Sequence, residues 1–478
     1  MRGQAPVGKS RRVDGYQDFI SHDWGTSRWL KLVALLVIFN SHAAAAACFL
    51  VSLLVGVLRI SGAVPDHFST AFAGHVAFYA VLCFWQRLRE LVLKPRIVFL
   101  DKLCISQEDE ELKERGILSL PGFLDRSEEL TILWSRKYFT RLWCTCELIT
   151  FLRDHRKRKF VQVVPVKLCL LMLLMSVSWQ CLAAGYYIAY REVDSGFRVT
   201  SITARIIFQS MAVLILPFQN YIALELMTEI EDLPRQMKSF SIRAADCACC
   251  SSSHLTETGK SIPCDRKLVF EALELWYGKA EATEDEYLTH FDSLVQTQEV
   301  TGKVLSGLRG SLIPLHYSVS MIAIANVPFL SDYMASIAAG PAEPLSGQDL
   351  LGWGMRMFLD WLNFFLVIVL AVQLSLLIWR GASCCRKLSR PLVACLLVPP
   401  MLISVMTWEP YRSTMARSPS NSMLPLIPFA GLLVLNLGFL IPQKEFRCCL
   451  SRSPPAEPGL AEHGNELPAV DEDSFVSV

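Results

Sequence analysis

Long apolar windows separated by charged stretches organise this chain. Eight of them read as membrane spans: Leu32–Ile60, Ala71–Trp85, Val163–Tyr190, Ile202–Met227, Leu312–Leu330, Met357–Trp379, Pro391–Trp408 and Met423–Ile441. A helix rises about 1.5 Å per residue, so about 20 apolar residues cross a hydrocarbon core about 30 Å thick. The first window exceeds one crossing, and its opening turns are expected to stand above the membrane. Between windows two and three the pattern changes to short apolar runs. Arg96–Leu100 (RIVFL) and Leu130–Trp134 (LTILW) have the length of buried parallel strands. Glu108–Leu118 between them is charged and helix-prone, and a helix is predicted over Tyr138–Arg153. Strand, helix, strand, helix predicts a doubly wound parallel sheet. The expected fold class is an α-helical polytopic membrane protein of about eight spans with a small cytosolic α/β domain.

Composition agrees with that division. The chain is 52% hydrophobic and 19% charged, whereas a soluble protein carries about 25% charged residues. A net charge of +1 gives no electrostatic reason to expect nucleic acid, and the lipid bilayer is the expected partner. Lys and Arg crowd 86–160, 228–310, 380–390 and 444–452, while the loops near 61–70, 191–201, 331–355 and 409–422 are poorer in them. The positive-inside rule therefore predicts that both termini and the long hydrophilic segments face the cytosol.

The expected divisions follow. Residues 1–29 are a cytosolic start with a first strand, 30–86 a transmembrane hairpin, and 87–160 the main part of the soluble domain. Residues 161–227 hold spans three and four, and 228–310 a cytosolic loop with a cysteine cluster and an amphipathic stretch near Lys267–Tyr277. Residues 311–379 hold spans five and six, 380–441 spans seven and eight, and 442–478 a Pro-rich, acidic, disordered tail. Met1–Gln17 is polar and basic without an apolar core, so no cleavable signal peptide is expected.

Three runs carry a resemblance: the strand end FISHDW (Phe19–Trp24), VFLDKLCISQ (Val98–Gln107) and SEELTILWSRKYFTRLWCTCEL (Ser127–Leu148). Together they resemble a TIR domain. The last is the most specific, a strand ending in Ser135, an aromatic Tyr138, then a helix with Trp143, Cys144, Glu147 and Leu148. Phe99–Gln107 is also similar to the core motif of fungal heterokaryon-incompatibility (HET) domains, distant TIR relatives. The resemblance covers roughly 75 to 80 of the 478 residues, in two pieces, and is silent on the spans. It also departs from the family pattern. Two spans separate Phe19 from Ile97 where the family has one helix, so Trp24–Leu35 is expected to fuse that helix to the first span. The loop after the second strand lacks the glycine of many TIR domains.

Some TIR domains cleave the nicotinamide–ribose bond of NAD with a glutamate on this helix, which corresponds here to Glu147. The resemblance thus implies NAD as substrate, Glu147 as the catalytic carboxylate stabilising an oxocarbenium-like transition state, and self-association through the domain. Trp143, one turn earlier on the same face, with Ser21, His22, Asp23, Trp24, Arg28, Asp101 and Lys102 on neighbouring loops, are the candidate nucleotide-binding residues. The alternatives are a surface Glu147 paired with an arginine, in a domain acting by assembly alone, or a transporter or channel regulated by the domain.

Cys247, Cys249, Cys250, His254 and Cys264 have the ligand types for zinc. Their spacing is not a standard one, and zinc, acylation and plain free thiols all stay open, zinc the least favoured. Cys384-Cys385 and Cys448-Cys449, beside basic residues at span ends, suit palmitoylation. Arg356 and Asp360, at i and i+4 at the outer start of span six, read either as a functional intramembrane pair or, the favoured reading, as a pair that neutralises itself at the interface. Glu225 reads as an interfacial residue, Pro399-Pro400 as a kink, and Val476–Val478 as a weak match to PDZ-type ligands.

Overall fold

A computed structural model describes residues 13–440 apart from 66–67, 107–108, 154–159, 195–197, 256–260, 262–263, 278–282, 298–299, 301, 303, 305–312, 342–343, 384–387 and 420–421. The two cysteine pairs, the acidic tail and the C-terminal valines lie outside the described residues.

The first described element, strand β1 (Tyr16–His22), is joined to helix α1 (Arg28–Ile60) by five residues. The chain returns along α2 (Phe72–Val92) to reach β2 (Val98–Phe99). Short helices α3 (Asp101–Cys104), α4 (Glu110–Leu118) and α5 (Leu120–Asp125) lead to β3 (Ser127–Trp134), then α6 (Leu142–Arg153) and β4 (Val161–Pro165). The four strands form one parallel sheet in the order β2-β1-β3-β4. Despite the intervening hairpin, β1 pairs with β2 through Asp18 opposite Val98 and Phe19 opposite Phe99. Burial explains the pairing: Phe19, Phe99, Leu130 and Ile132 are almost wholly removed from water. The Phe99 ring stacks at 4.7 Å on both Phe19 and Phe123.

The expected elements shift at their edges. The second strand shortens to Val98–Phe99 and the third lengthens to begin at Ser127. A 3-10 turn at Tyr138–Thr140 precedes α6. The fourth strand corrects the expected start of span three at Val163. Val161–Pro165 is a β-branched run too short to distinguish from a buried helix by periodicity, and it pairs with Leu130–Trp134. The helix that follows, α7 (Val166–Asp194), begins at the next residue, so the sheet runs into the membrane without a linker.

Among the described residues six helices are long and apolar enough to cross a membrane, which makes this a multi-pass membrane protein: Arg28–Ile60, Val166–Gly185, Val213–Lys238, Leu315–Ala339, Gly347–Ser383 and Arg390–Arg417. The other two expected windows fall short of that standard. Helix α2 carries Gln86, Arg87, Arg89 and Glu90 in its last two turns, and Leu426–Leu440 has 15 residues. The Pro399-Pro400 stretch interrupts its helix at Leu397, between Arg390–Leu396 and Val398–Val405.

These helices are arranged with apolar side chains outward and polar ones inward. Leu50, Val57, Val76, Phe84 and Ile427 face out, while Asn40, Arg59, Gln219, Asn220 and Asp360 are buried. Without water to satisfy them, buried polar groups tie helix to helix. Asn40 Nδ2 donates to the Leu82 carbonyl at 2.7 Å and Asn40 Oδ1 accepts from Gln86 Nε2 at 2.8 Å, joining α1 to α2. Gly74 permits that approach, since a Cβ there would lie 2.6 Å from Ser52 Oγ. Arg59 pairs with Asp332 across α1 and Leu330–Ala339. The expected Arg356–Asp360 pair is not formed. Asp360 accepts from Arg412 Nη1 and from Tyr333 OH, each at 2.8 Å, while Arg356 donates to the Pro419 and Met415 carbonyls. Glu225 meets Lys167 at 2.9 Å, and Glu229 meets the same amine at 2.7 Å.

The 228–310 segment holds the end of α8 (Arg198–Lys238), α9 (Ala248–Ser251), α10 (Asp265–Tyr277) and α11 (Glu284–Gln296). It builds a second apolar cluster in which Ile242, Val269, Leu273 and Phe291 pack on Leu142, Cys146 and Ile149 of α6.

Candidate functional site

The carboxyl ends of parallel strands, where ligands of such folds bind, bring together residues from three elements. Ser21, buried on β1, donates from Oγ to Glu147 Oε2 at 2.5 Å, and its Oγ lies 2.6 Å from Tyr138 OH. Tyr138 OH also donates to the Cys144 carbonyl at 3.0 Å, which fixes the first turn of α6 against the strand end. Burial pushes the Glu147 carboxyl up to about 8, with Asp101 adding to the rise and the Ser21 hydrogen bond opposing it. Burial also raises the Tyr138 phenol and the Cys144 thiol well above their ordinary values. Glu147 is half-buried, and its hydrogen-bond partner among the described residues is a buried serine, not an arginine.

The neighbouring loop is organised by Asp101. Its carboxylate accepts from Trp24 Nε1 and from the Lys102 amide, each at 2.6 Å, and lies 3.9 Å from His22 Nε2. Burial lowers the His22 imidazole, against the pull of Asp101. Asp23 is almost wholly buried and spends its oxygens on the fold. It accepts from the Gly25 amide at 2.9 Å, Thr26 Oγ1 at 3.1 Å and Ser135 Oγ at 3.4 Å, with Arg141 Nε at 3.6 Å. Arg28 lies over the Trp29 ring at 5.6 Å, and Lys102 is exposed.

Trp143 and Glu147 line a cleft closed on its other sides by Leu120 and Leu124 of α5 and by Leu268, Val269 and Ala272 of α10. Its free volume is about 30 Å³, room for about one water. A second, polar cavity of about 190 Å³ opens at the ends of β1, β3 and β4, lined by Asp23, Thr26, Ser135, Arg136, Lys167 and Glu229.

Sequence reasoning thus found Ser21, Glu147, Trp24 and Asp101, which the structure joins pairwise. Tyr138 was legible only as a pattern aromatic, and its bridging role follows from the turn before α6. Arg141 and Lys167 were missed, because their partners Asp23, Glu225 and Glu229 are remote in sequence.

In the 228–310 segment, Cys249, Cys250, His254 and Cys264 converge, with all four donor atoms within 4.8 Å of one another. Cys247 groups instead with Cys249 and Asp265.

Fold and sites together define a multi-pass membrane protein with a parallel α/β domain threaded through its first two helices. Comparison with protein-family models, curated proteins and solved structures finds no match to the chain.

Proposed function

We propose that this is a membrane-embedded TIR-like signalling protein that cleaves the glycosidic bond of NAD through Glu147. The single observation carrying the reading is the Ser21–Glu147 contact, which sets a carboxyl group of raised pKa at the strand ends where the resemblance calls for it. In the cleavage the ribose C1′–N bond breaks and nicotinamide leaves as a neutral base. The ionised Glu147 stabilises the oxocarbenium-like ribose, and water then attacks C1′ and releases one proton to solvent to give ADP-ribose. Trp143 would stack on the ring of the substrate. Because the cleft has room for about one water, catalysis requires α10 to move away from Trp143 and Glu147.

In this reading α2 and Leu426–Leu440 are two further crossings, both termini and the α/β domain are cytosolic, and copies associate through that domain. Since β1 leads into α1 within five residues and β4 directly into α7, movement of the helices reaches the site through its own strands. Full-length protein in nanodiscs is expected to consume NAD, and Glu147→Ala to abolish it. Equal consumption by that variant sinks the catalytic role.

One observation favours a second reading, transport. Asp360 Oδ1 and both polar atoms of Asn363 are buried within one apolar helix without a hydrogen-bond partner among the described residues. A transport path would hydrate them. Solute flux in proteoliposomes that is lost on Asp360→Asn supports this reading; impermeable proteoliposomes refute it.

A further inference from the structure

The geometry points to a structural zinc site formed by Cys249, Cys250, His254 and Cys264, which fastens the segment around Asp246 and helix α10 over the first turns of α6. Thiolates about 2.3 Å from a tetrahedral zinc ion lie about 3.8 Å from each other. The Cys249 and Cys250 sulfurs are 3.9 Å apart, and those of Cys250 and Cys264 are 3.8 Å apart. The Cys247 and Cys249 sulfurs, at 3.1 Å, are too close to occupy two corners of one such tetrahedron. Cys249 belongs to the group of four mutually close donors and Cys247 does not, so Cys247 is left out of the set although it is the first cysteine of the sequence cluster.

The fourth donor is His254. Its Nε2 is buried and has no hydrogen-bond partner among the described residues, an arrangement that a metal ion would satisfy. The chain reaches this position by ending α9 in a left-handed turn. Ser253 and His254 have φ of 55° and 59°, and the His254 amide donates to the Cys249 carbonyl at 2.8 Å. The turn brings the imidazole back over the thiols. The Asp265 amide donates to Cys249 Sγ at 3.2 Å, a bond that favours the thiolate and orients it. Three thiolates and one imidazole select zinc over harder divalent ions.

The ligands lie on both sides of what the site would hold. Immediately before them, the Asp246 amide donates to the Thr140 carbonyl at 2.6 Å, and the Asp246 carbonyl accepts from the Leu142 amide at 3.2 Å. That second bond satisfies a donor at the start of α6 that has no partner within its own helix. Immediately after them, Cys264 leads into α10, whose Leu268, Val269 and Ala272 close the cleft at Glu147. Zinc would therefore clamp both the strap on α6 and its cover.

The test is metal content of the full-length protein purified in detergent without chelators. About one zinc per chain is expected, retained by Cys247→Ser and lost by His254→Ala and by Cys264→Ser. Less than about a tenth of an equivalent in the unmodified protein, retention by both ligand variants, or loss on Cys247→Ser overturns the assignment. Should the ligand variants fail to fold, cobalt exchanged into the unmodified protein decides. Intense tetrahedral bands with thiolate charge transfer are expected, and a weak octahedral spectrum refutes the site. Chelation is further expected to raise amide exchange in 141–149 and 265–277; unchanged exchange refutes the clamp. None of these readouts depends on NAD cleavage, so the metal site and the proposed activity stand or fall separately.

Discussion

Ser21 and Glu147, 126 positions apart in the chain, meet at 2.5 Å. The contact joins the end of β1, which precedes the first membrane helix, to the middle of α6. Its effect on Glu147 has a definite sign, because a hydroxyl donating to the charged carboxylate favours ionisation and burial opposes it. A carboxylate that stabilises a cationic transition state must be ionised, so NAD cleavage is expected to rise with pH through about 8. Asp101 faces the same carboxyl and adds to the rise, while the Tyr138, Cys144 and Cys146 groups around it stay protonated across this range. Ser21→Ala should move the midpoint of the pH–rate profile to higher pH. A midpoint that stays or falls contradicts the coupling.

The same shift predicts a stability effect of opposite sense to that of an ordinary paired carboxylate. The folded-state value of about 8 exceeds the unfolded value of 4.5. The folded protein thus holds this proton more tightly, and the associated stability is present below about pH 4.5 and lost as pH rises through 8. Each pKa unit corresponds to about 1.4 kcal/mol. Glu147→Gln, which cannot ionise, should therefore gain thermal stability relative to the unmodified protein between pH 5 and pH 9. Melting curves in detergent at the two pH values check this, and a constant difference would argue against it.

Asp18 is buried at the base of β1, where Arg96 grips it with two nitrogens and Thr131 Oγ1 lies 3.4 Å away. Removing one member of such a pair leaves a buried charge without a partner, at a cost of about 3 kcal/mol. Arg96→Ala should lower the midpoint of unfolding markedly, and Asp18→Asn with Arg96→Met should recover part of the loss. Thermal unfolding followed by tryptophan fluorescence measures both.

Much of the α/β domain was legible in the sequence, because its strand cores are unbroken apolar runs and its site residues cluster at their ends. Leu130–Trp134 and the Trp143–Glu147 helix fell where pattern placed them. Val161–Pro165 did not, since its buried apolar end, Val163–Pro165, runs directly into Val166 with no polar residue at the junction to separate strand from helix. The Arg356–Asp360 expectation failed for a related reason. Spacing along one helix identifies neighbours on that helix, but Asp360 faces Arg412 from another, 52 residues away.

That difference is measurable by a double-mutant cycle. Asp360→Ala and Arg412→Ala should show a coupling of at least about 1 kcal/mol, whereas Asp360→Ala and Arg356→Ala should be close to additive. The reverse ranking of the two couplings would restore the expected i, i+4 pair.

The central claim is that Glu147 is a catalytic carboxylate served by Ser21, and nicotinamide release tests it most directly. Full-length protein in nanodiscs at pH 8.5, given NAD, should release nicotinamide and ADP-ribose in equal amounts. Glu147→Gln, which keeps the shape of the side chain and removes its charge, should lower the rate at least about a hundredfold, an electrostatic loss of about 2.7 kcal/mol. No release by the unmodified protein, or release by Glu147→Gln at the unmodified rate, contradicts the account.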